Sequence, residues 1–424
     1  MSSKYKYHKT TLDNGIVVVS EQMDHLRSVS FGVFLREGSR NESAPRNGIN
    51  HFIEHTLFKG TRRRSAAQIA DESDALGGYL DAFTSREAVG FTNKVLDEHL
   101  PQAFELLADL VTAPEFDPVE LDKERNVILE EIKMVEDTPD DLIYEFFSER
   151  FFPEHPLGRP ILGTPDTLAT FQADAVRSFY TDAYAADKLV LSAAGNIKHE
   201  DLLELVSEHF GHLKPGKPLA ESEKPKPSPF ISLHQKNELE QVHLVLGTTC
   251  PDLMSPDHYA VNVLCTILGG GMSSRLFQAV REDLGLVYTI QSALTEYIDT
   301  GHLSIYAGAS PEKILPTIEA TVAQLKLMRD EPVGAAELQR NKDQLKASLI
   351  LGIESSSSRM TSLASQEMTW GEFMTPDEVI EKINGVTAED IQRLANEMFQ
   401  PELLAVTVLG DVSELELTRD NFNC

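Results

Sequence analysis

The two halves of this sequence repeat one another. A displacement of 215 residues carries Gly195 onto Gly410, Leu189 onto Leu404, Arg125-Asn126 onto Arg340-Asn341 and Leu100-Pro101 onto Leu315-Pro316. One constant displacement across so long a stretch is the mark of a duplicated domain, and it restricts the fold to architectures in which each copy buries its own core. Between the copies lie Lys214-Pro215-Gly216-Lys217-Pro218 and a polar, proline-dense run ending at Pro229. Proline removes the backbone donors that a helix or a central strand needs, so this segment reads as an extended linker. The expected division is a first domain over 1–213, a linker over 214–230 and a second domain over 231–424. A chain of 424 residues is also longer than one ordinary core supports.

Within the first copy, Ile16 to Val19 and Val190 to Gly195 are short β-rich runs, and Val29, Phe31, Val33 and Leu35 alternate as one face of a strand would. Helices intervene. Asp117-Pro118 supplies an N-cap and a first-turn proline for a helix running to about Asp137, with Pro139 as its stop. Leu100 to Val111 and Leu315 to Leu327 show apolar residues at helical spacing. The class expected is α+β: two homologous α/β domains in tandem, each a mixed, mostly antiparallel sheet covered by helices.

Composition enters through what it excludes. With 41% hydrophobic and 25% charged residues the chain is a folded globular type. A net charge of −29 opposes nucleic acid and anionic membranes at long range and favours cationic ligands, although acidity also serves solubility alone. No apolar run approaches the roughly 20 residues that cross a bilayer, and the opening residues Met1 to His8 lack the apolar stretch of a signal peptide. A cytoplasmic location is therefore the expectation. Cys250, Cys265 and Cys424 have no paired spacing, which gives no disulfide framework and no thiolate metal site.

The chemistry concentrates in Gly48 to Phe58, where apolar residues at 49, 52, 53, 57 and 58 predict a largely buried helix. His51 and His55 are four apart and project from one face, close enough to share a cation, and Glu54 lies beside the same point. Two histidines on an amphipathic helix are often no more than satisfied side chains. The intervening glutamate changes the reading, since His-x-x-Glu-His provides two zinc ligands and a base that is not itself a ligand. A hydrolytic zinc site needs one more protein ligand and a position for water. Glu131 offers it, because Val127, Ile128, Met134 and Val135 surround it with an apolar stripe in which an unpaired carboxylate would be costly. Adjacent Glu130, with Asn126 and Lys133 as neighbours, reads as a solvated residue, while Glu124 lies two turns before Glu131, placed to support a ligand histidine. The repeat acts as a control: His51, Glu54, His55 and Glu131 fall on Thr266, Gly269, Gly270 and Lys346, none of which binds or activates zinc.

With these residues in place, the chain resembles the pitrilysin, insulin-degrading enzyme and mitochondrial processing peptidase family, in particular its short members. Gly48 to Thr61 is similar to the family's zinc helix, and Glu124 to Ile132 to its distal glutamate segment. The resemblance implies one Zn²⁺ per chain held by His51, His55 and Glu131, with Glu124 as the supporting carboxylate and Glu54 as the base. Gly77 to Glu87 is similar to the family's edge strand, which implies that Asp81, Ala82, Phe83 and Thr84 receive substrate backbone as an added strand. Asparagine is common in the family where Asp81 stands here. In the second half, Leu268 to Phe277 resembles the family's glycine-rich segment, and Arg281 with Tyr288 matches its Arg and Tyr pair, implying donors to the substrate carbonyl. The activity implied is zinc-dependent cleavage of peptides or unfolded segments in an enclosed chamber, and the charge of −29 adds the expectation of basic peptides. The assembly implied is a homodimer with shared sites, and the alternative is an inactive scaffold or partner subunit.

Overall fold

The computed structural model describes residues 5–217 and 223–423. Met1 to Lys4, residues 218–222 of the expected linker and Cys424 lie outside the described residues. In chain order the first half forms β1 (Tyr7–Thr11), β2 (Val17–Gln22), β3 (Ser28–Leu35), α1 (Ile49–Leu57), α2 (Ala66–Leu76), β4 (Tyr79–Thr84), β5 (Val89–Leu96), α3 (Leu100–Thr112), α4 (Pro118–Asp137), α5 (Pro139–Phe151), α6 (Pro165–Leu168), α7 (Ala173–Ala183), β6 (Leu189–Gly195) and α8 (His199–Phe210). The second half forms β7 (Ile231–Gln235), β8 (Val242–Thr249), α9 (His258–Gly269), β9 (Val287–Glu296), β10 (Gly301–Ala309), α10 (Ile314–Asp330), α11 (Ala335–Gly352), α12 (Ser356–Thr369), α13 (Pro376–Gly385), α14 (Ala388–Met398) and β11 (Ala405–Gly410).

One sheet has the order β1-β2-β6-β3-β5-β4 and the other β7-β11-β8-β10-β9. In the first, only β2 and β6 run parallel; in the second, only β7 and β11 do. Both sheets are thus mixed and mostly antiparallel, with helices covering them, as an α+β fold requires. The repeat is visible in detail. The displacement of 215 lays α7 on α14 from first residue to last. Gly195 and Gly410 end their strands at φ of 135° and 140°, a backbone conformation that side chains other than glycine resist. Asn126 donates to the Asp122 carbonyl at 2.9 Å, and Asn341 donates to the Glu337 carbonyl at 2.8 Å.

The compact units do not follow the linker. The first contains residues up to 133, 159–217 and 351–375; the second contains 134–158, 223–350 and 376–423. The reason is an exchange of equivalent helices. Helix α12, from the second half, packs on β2, β3 and β6 of the first unit, while α5, from the first half, packs on β8 and β11 of the second.

The central strands of each sheet are therefore covered on both faces, while the edge strand β4 keeps exposed positions. In β3, Val29, Phe31, Val33 and Leu35 join the main core of the first unit, while Phe34 on the opposite face packs with Met360 and Leu363 of α12. Even Ser30 is buried, with its hydroxyl 2.9 Å from that of Ser356. The alternation read from the sequence identified one face correctly but not that the other is covered too. Pro139 likewise does not merely stop α4: after the break at Thr138 it opens α5 as a first-turn proline.

Candidate metal centre

Helix α1 has nine residues, shorter than the roughly 12–15 that make an isolated helix even marginal, so tertiary packing must hold it. Ile49, Phe52, Ile53 and Leu57 are all at most 1% exposed in the core of the first unit. Its N-terminus is held by a residue that motif reading missed. The carboxylate of Glu42, itself 2% exposed, accepts the backbone N–H of Gly48 at 2.7 Å and of Asn50 at 2.9 Å, together with the side-chain amides of Asn47 and Asn50. Burial pushes the Glu42 carboxyl up to about 7, against the pull of these four N–H donors. Glu42 stands six residues before Gly48, outside capping-box spacing, so no local pattern announces it.

The core side of α1 leaves the other face to its chemistry. The rings of His51 and His55 lie 4.6 Å apart between centroids. Glu131 on α4 approaches both: its carboxylate oxygens stand 3.8 Å from His51 Nε2 and 3.5 Å from His55 Nε2. Behind His55, the Nδ1 atom is 3.3 Å from the Glu124 carboxylate, which also accepts from Lys59 at 3.0 Å. A carboxylate can only accept, so the proton belongs on Nδ1 and the Nε2 lone pair is free to face Glu131. Burial, with His55 adding to it, holds the His51 imidazole down to about 4, which leaves it neutral, as a metal ligand must be.

These residues fit a zinc ion. Tetrahedral N and O ligands about 2.0–2.1 Å from one ion stand roughly 3.3 Å from each other; the two spacings to Glu131 are close to that, and all three ligand atoms lie within 4.8 Å of one another. Contacts of 3.5 and 3.8 Å are too long to be satisfying hydrogen bonds, so the two Nε2 atoms face the Glu131 carboxylate without being bonded to it. Among the described residues, His51, His55 and Glu131 are the one set of three such groups able to share a metal.

Glu131 lies beside the two histidines, but not for the reason that its sequence neighbours suggest. Its supposed apolar stripe is largely open: the Glu131 side chain is 33% exposed, Val127 44% and Met134 67%. The truly buried carboxylate of α4 is Glu124, at 4%. A helix of 20 residues that covers a core with only part of one face leaves such a stripe exposed, and the periodicity cannot tell which part. Glu130 is solvated, paired with Lys133 at 2.7 Å.

Glu54 points to the same place from α1. Its carboxylate accepts from the Thr84 hydroxyl at 2.5 Å. Burial raises its pKa; the Thr84 bond and His55 oppose that, while Asp81 and Glu131 add to it. Thr84 was expected to receive substrate backbone, and its link to Glu54 had no sequence signal. Ala82, Leu80 and Asp81 of β4 line a cavity of about 270 Å³ with Glu54, His55, Phe58, Lys59 and Glu124. Phe83 lies across the strand on the face away from Thr84, in contact with Phe34.

Arg281 and Tyr288 belong to the second unit. Arg281 lies in a π-helical turn, Phe277–Asp283, and Tyr288 near the start of β9. The guanidinium sits 5.3 Å from the centroid of the Tyr288 ring and 4.4 Å from that of Phe277. Both residues line a cavity of about 470 Å³ with Gly269, Gly270 and Gly271, so the glycine-rich segment and the Arg and Tyr pair do meet. The positions equivalent to the zinc set bring no histidine or carboxylate: Thr266 and Gly269 lie on α9, Gly270 follows at its C-cap, and Lys346 on α11 pairs with Asp343.

The chain is similar to known proteins over most of its length. Residues 17–165 match the family model described as Insulinase (Peptidase family M16), and residues 170–345 match that of the Peptidase M16 inactive domain. An uncharacterized zinc protease of Bacillus subtilis, YmxG, is 41% identical over 389 residues, covering 92% of this chain and 95% of its own. An uncharacterized zinc protease of Streptomyces coelicolor is 36% identical over 423 residues, covering 97% and 91%. Among solved structures, a protease from Helicobacter pylori has a TM-score of 0.90 at 24% identity, covering 96% of this chain and 99% of its own. A peptidase M16 inactive domain from Pseudomonas fluorescens has a TM-score of 0.89 at 20% identity, covering 95% and 98%. At these identities the solved structures speak for the fold alone. Among the described residues, no helix is long and apolar enough to cross a membrane. The matched family models and the relatives that align over nearly the whole length leave one conclusion: the chain belongs to the M16 peptidase family.

Proposed function

We propose that this protein is a zinc-dependent endopeptidase that cuts extended or unfolded peptides. The observation that carries the reading is the convergence of His51 Nε2, His55 Nε2 and the Glu131 carboxylate, with buried Glu54 beside them. Zn²⁺, when bound there, supplies a Lewis acid and brings the pKa of water down towards neutrality. Glu54 takes a proton from the attacking water and returns it to the leaving amine, a role suited to a carboxylate whose basicity burial has raised. Thr84 fixes the orientation of that carboxylate, and Glu124 fixes the tautomer of His55. The free edge of β4 receives the substrate backbone, with Asp81, Ala82, Phe83 and Thr84 beside it. Arg281 and Tyr288 donate to the substrate carbonyl oxygen as charge develops on it.

We further propose a homodimer. In it, the zinc set of one copy works with Arg281 and Tyr288 of a second copy, and each chain holds one metal. The charge of −29 supports a preference for basic peptides. The deciding experiment is the zinc content of the purified protein together with cleavage of a quenched peptide library. One equivalent of zinc with chelator-sensitive cleavage is the expected result; a metal-free protein that cuts nothing after zinc is supplied would be an inactive scaffold of the family.

A further inference from the structure

Strand β4 ends its sheet, paired with β5 on one edge and with no strand on the other among the described residues. Side chains alternate along a strand with a period of two. Leu80 and Ala82 pack on the core of the first unit and Thr84 reaches Glu54, so these three point towards α1. Tyr79, Asp81 and Phe83 alternate onto the opposite face, and all three are exposed, Tyr79 at 81% and Phe83 at 38%, with Asp81 also bordering the cavity of Glu54 at the strand's edge. Phe83 has a built seat. It lies over Gly90 of β5, where a Cβ would come within 2.4 Å of its ring, and it touches Phe34. Asp81 has no cation partner among the described residues: its carboxylate accepts only the neighbouring Ala82 N–H, at 2.9 Å, and Thr92 stands opposite it on β5. Lys94 stands opposite Tyr79 on that face, and Lys59, which lines a cavity with Asp81, pairs with Glu124 at 3.0 Å.

We infer that this outer face reads alternate side chains of the peptide added at the free edge, and that it selects a basic residue flanked two positions away on each side by apolar or aromatic residues. The inference rests on the reading of the chain as a peptidase and names its substrate class. A strand laid beside β4 places successive same-face residues next to Tyr79, Asp81 and Phe83. The pattern apolar, any, basic, any, apolar is the same read in either direction, so it holds for parallel and antiparallel addition. Tyr79 and Phe83 offer aromatic surface, and Asp81 between them offers an unpaired carboxylate. Cross-strand pairs of this kind change affinity by roughly two- to fivefold each.

The test compares quenched peptides that differ only at the central position, Lys against Glu, at low salt, on the zinc-loaded wild type and on Asp81→Lys and Asp81→Asn. Wild type should cut the Lys peptide several-fold better by kcat/KM, Asp81→Asn should narrow the difference and Asp81→Lys should reverse it. Tyr79→Ser should weaken discrimination between apolar and polar flanking residues while leaving the central preference in place. Fluorescence anisotropy of the labelled peptides on metal-free protein should give the same order without turnover. If the wild type cuts neither peptide, the peptidase reading fails. If it cuts both and the order is the same in wild type and Asp81→Lys, by cleavage and by binding, this inference alone fails.

Discussion

Glu54 and His51 are three residues apart on one helix, and their replacements should fail in different ways. Glu54→Gln keeps the two imidazoles and Glu131, so it should retain one equivalent of zinc while turnover falls by about 10²–10⁴. His51→Ala removes a ligand and should lose metal and activity together. Metal analysis beside the cleavage assay separates them, and normal turnover in Glu54→Gln would refute its role as the base. Glu124 acts through His55 and needs a different measurement. With Gln at 124 the neutral amide holds the Nδ1 proton less firmly than the carboxylate does. Zinc affinity by chelator competition should drop by about 10- to 100-fold, and an unchanged value would leave Glu124 as a partner of Lys59 only.

At the scale of the element, α1 shows that a helix carrying the candidate zinc ligands need not stabilise itself. Its apolar side holds it against the sheet, and Glu42 holds its first turn. Glu42→Ala would leave two backbone and two side-chain N–H groups without their acceptor. Loss of charge-assisted bonds of this kind is worth about 1.5–3 kcal/mol, which chemical denaturation should detect, with weaker zinc retention as α1 loosens. Unchanged stability would mean that water replaces the carboxylate freely. Helix α4 teaches the converse. Its boundaries were legible from Asp117, Pro118 and Pro139, yet which stripe of it is buried was not, because a long helix may press any part of its surface on the core.

For the whole molecule, the exchange of α5 and α12 makes the halves interdependent. A fragment of residues 1–213 lacks α12, which covers Val19, Phe34, Val190 and Ala194 on the second face of the first sheet. That fragment should expose this apolar face, bind hydrophobic dyes and aggregate, and adding residues 351–375 in trans should reduce both. A stable, monomeric 1–213 fragment would show that the covering helix is dispensable. The shared-site dimer has its own test. Glu54→Gln and Tyr288→Phe, each inactive alone, are mixed under exchange. Half of randomly paired dimers are mixed and carry one intact site of two, so about a quarter of wild-type activity should return. No recovery, with mixed dimers shown to be present, would place both contributions in one chain.

The sequence by itself determined the parts of this protein that are written locally. The duplication was carried by Gly195 and Gly410, whose shared backbone conformation only glycine adopts freely, and by Asn126 and Asn341, which make the same bond in each copy. The pair of histidines with Glu54 was legible because helical spacing alone puts them on one side. What the tertiary structure decided was everything that depends on distant segments meeting. No local pattern announces that α12 crosses to the first sheet, that Glu42 caps α1, that Thr84 orients Glu54, or that Glu124 rather than Glu131 is the buried carboxylate of α4. Periodicity reports which residues share a face, whereas burial depends on what comes to lie against that face, and only the folded chain supplies it.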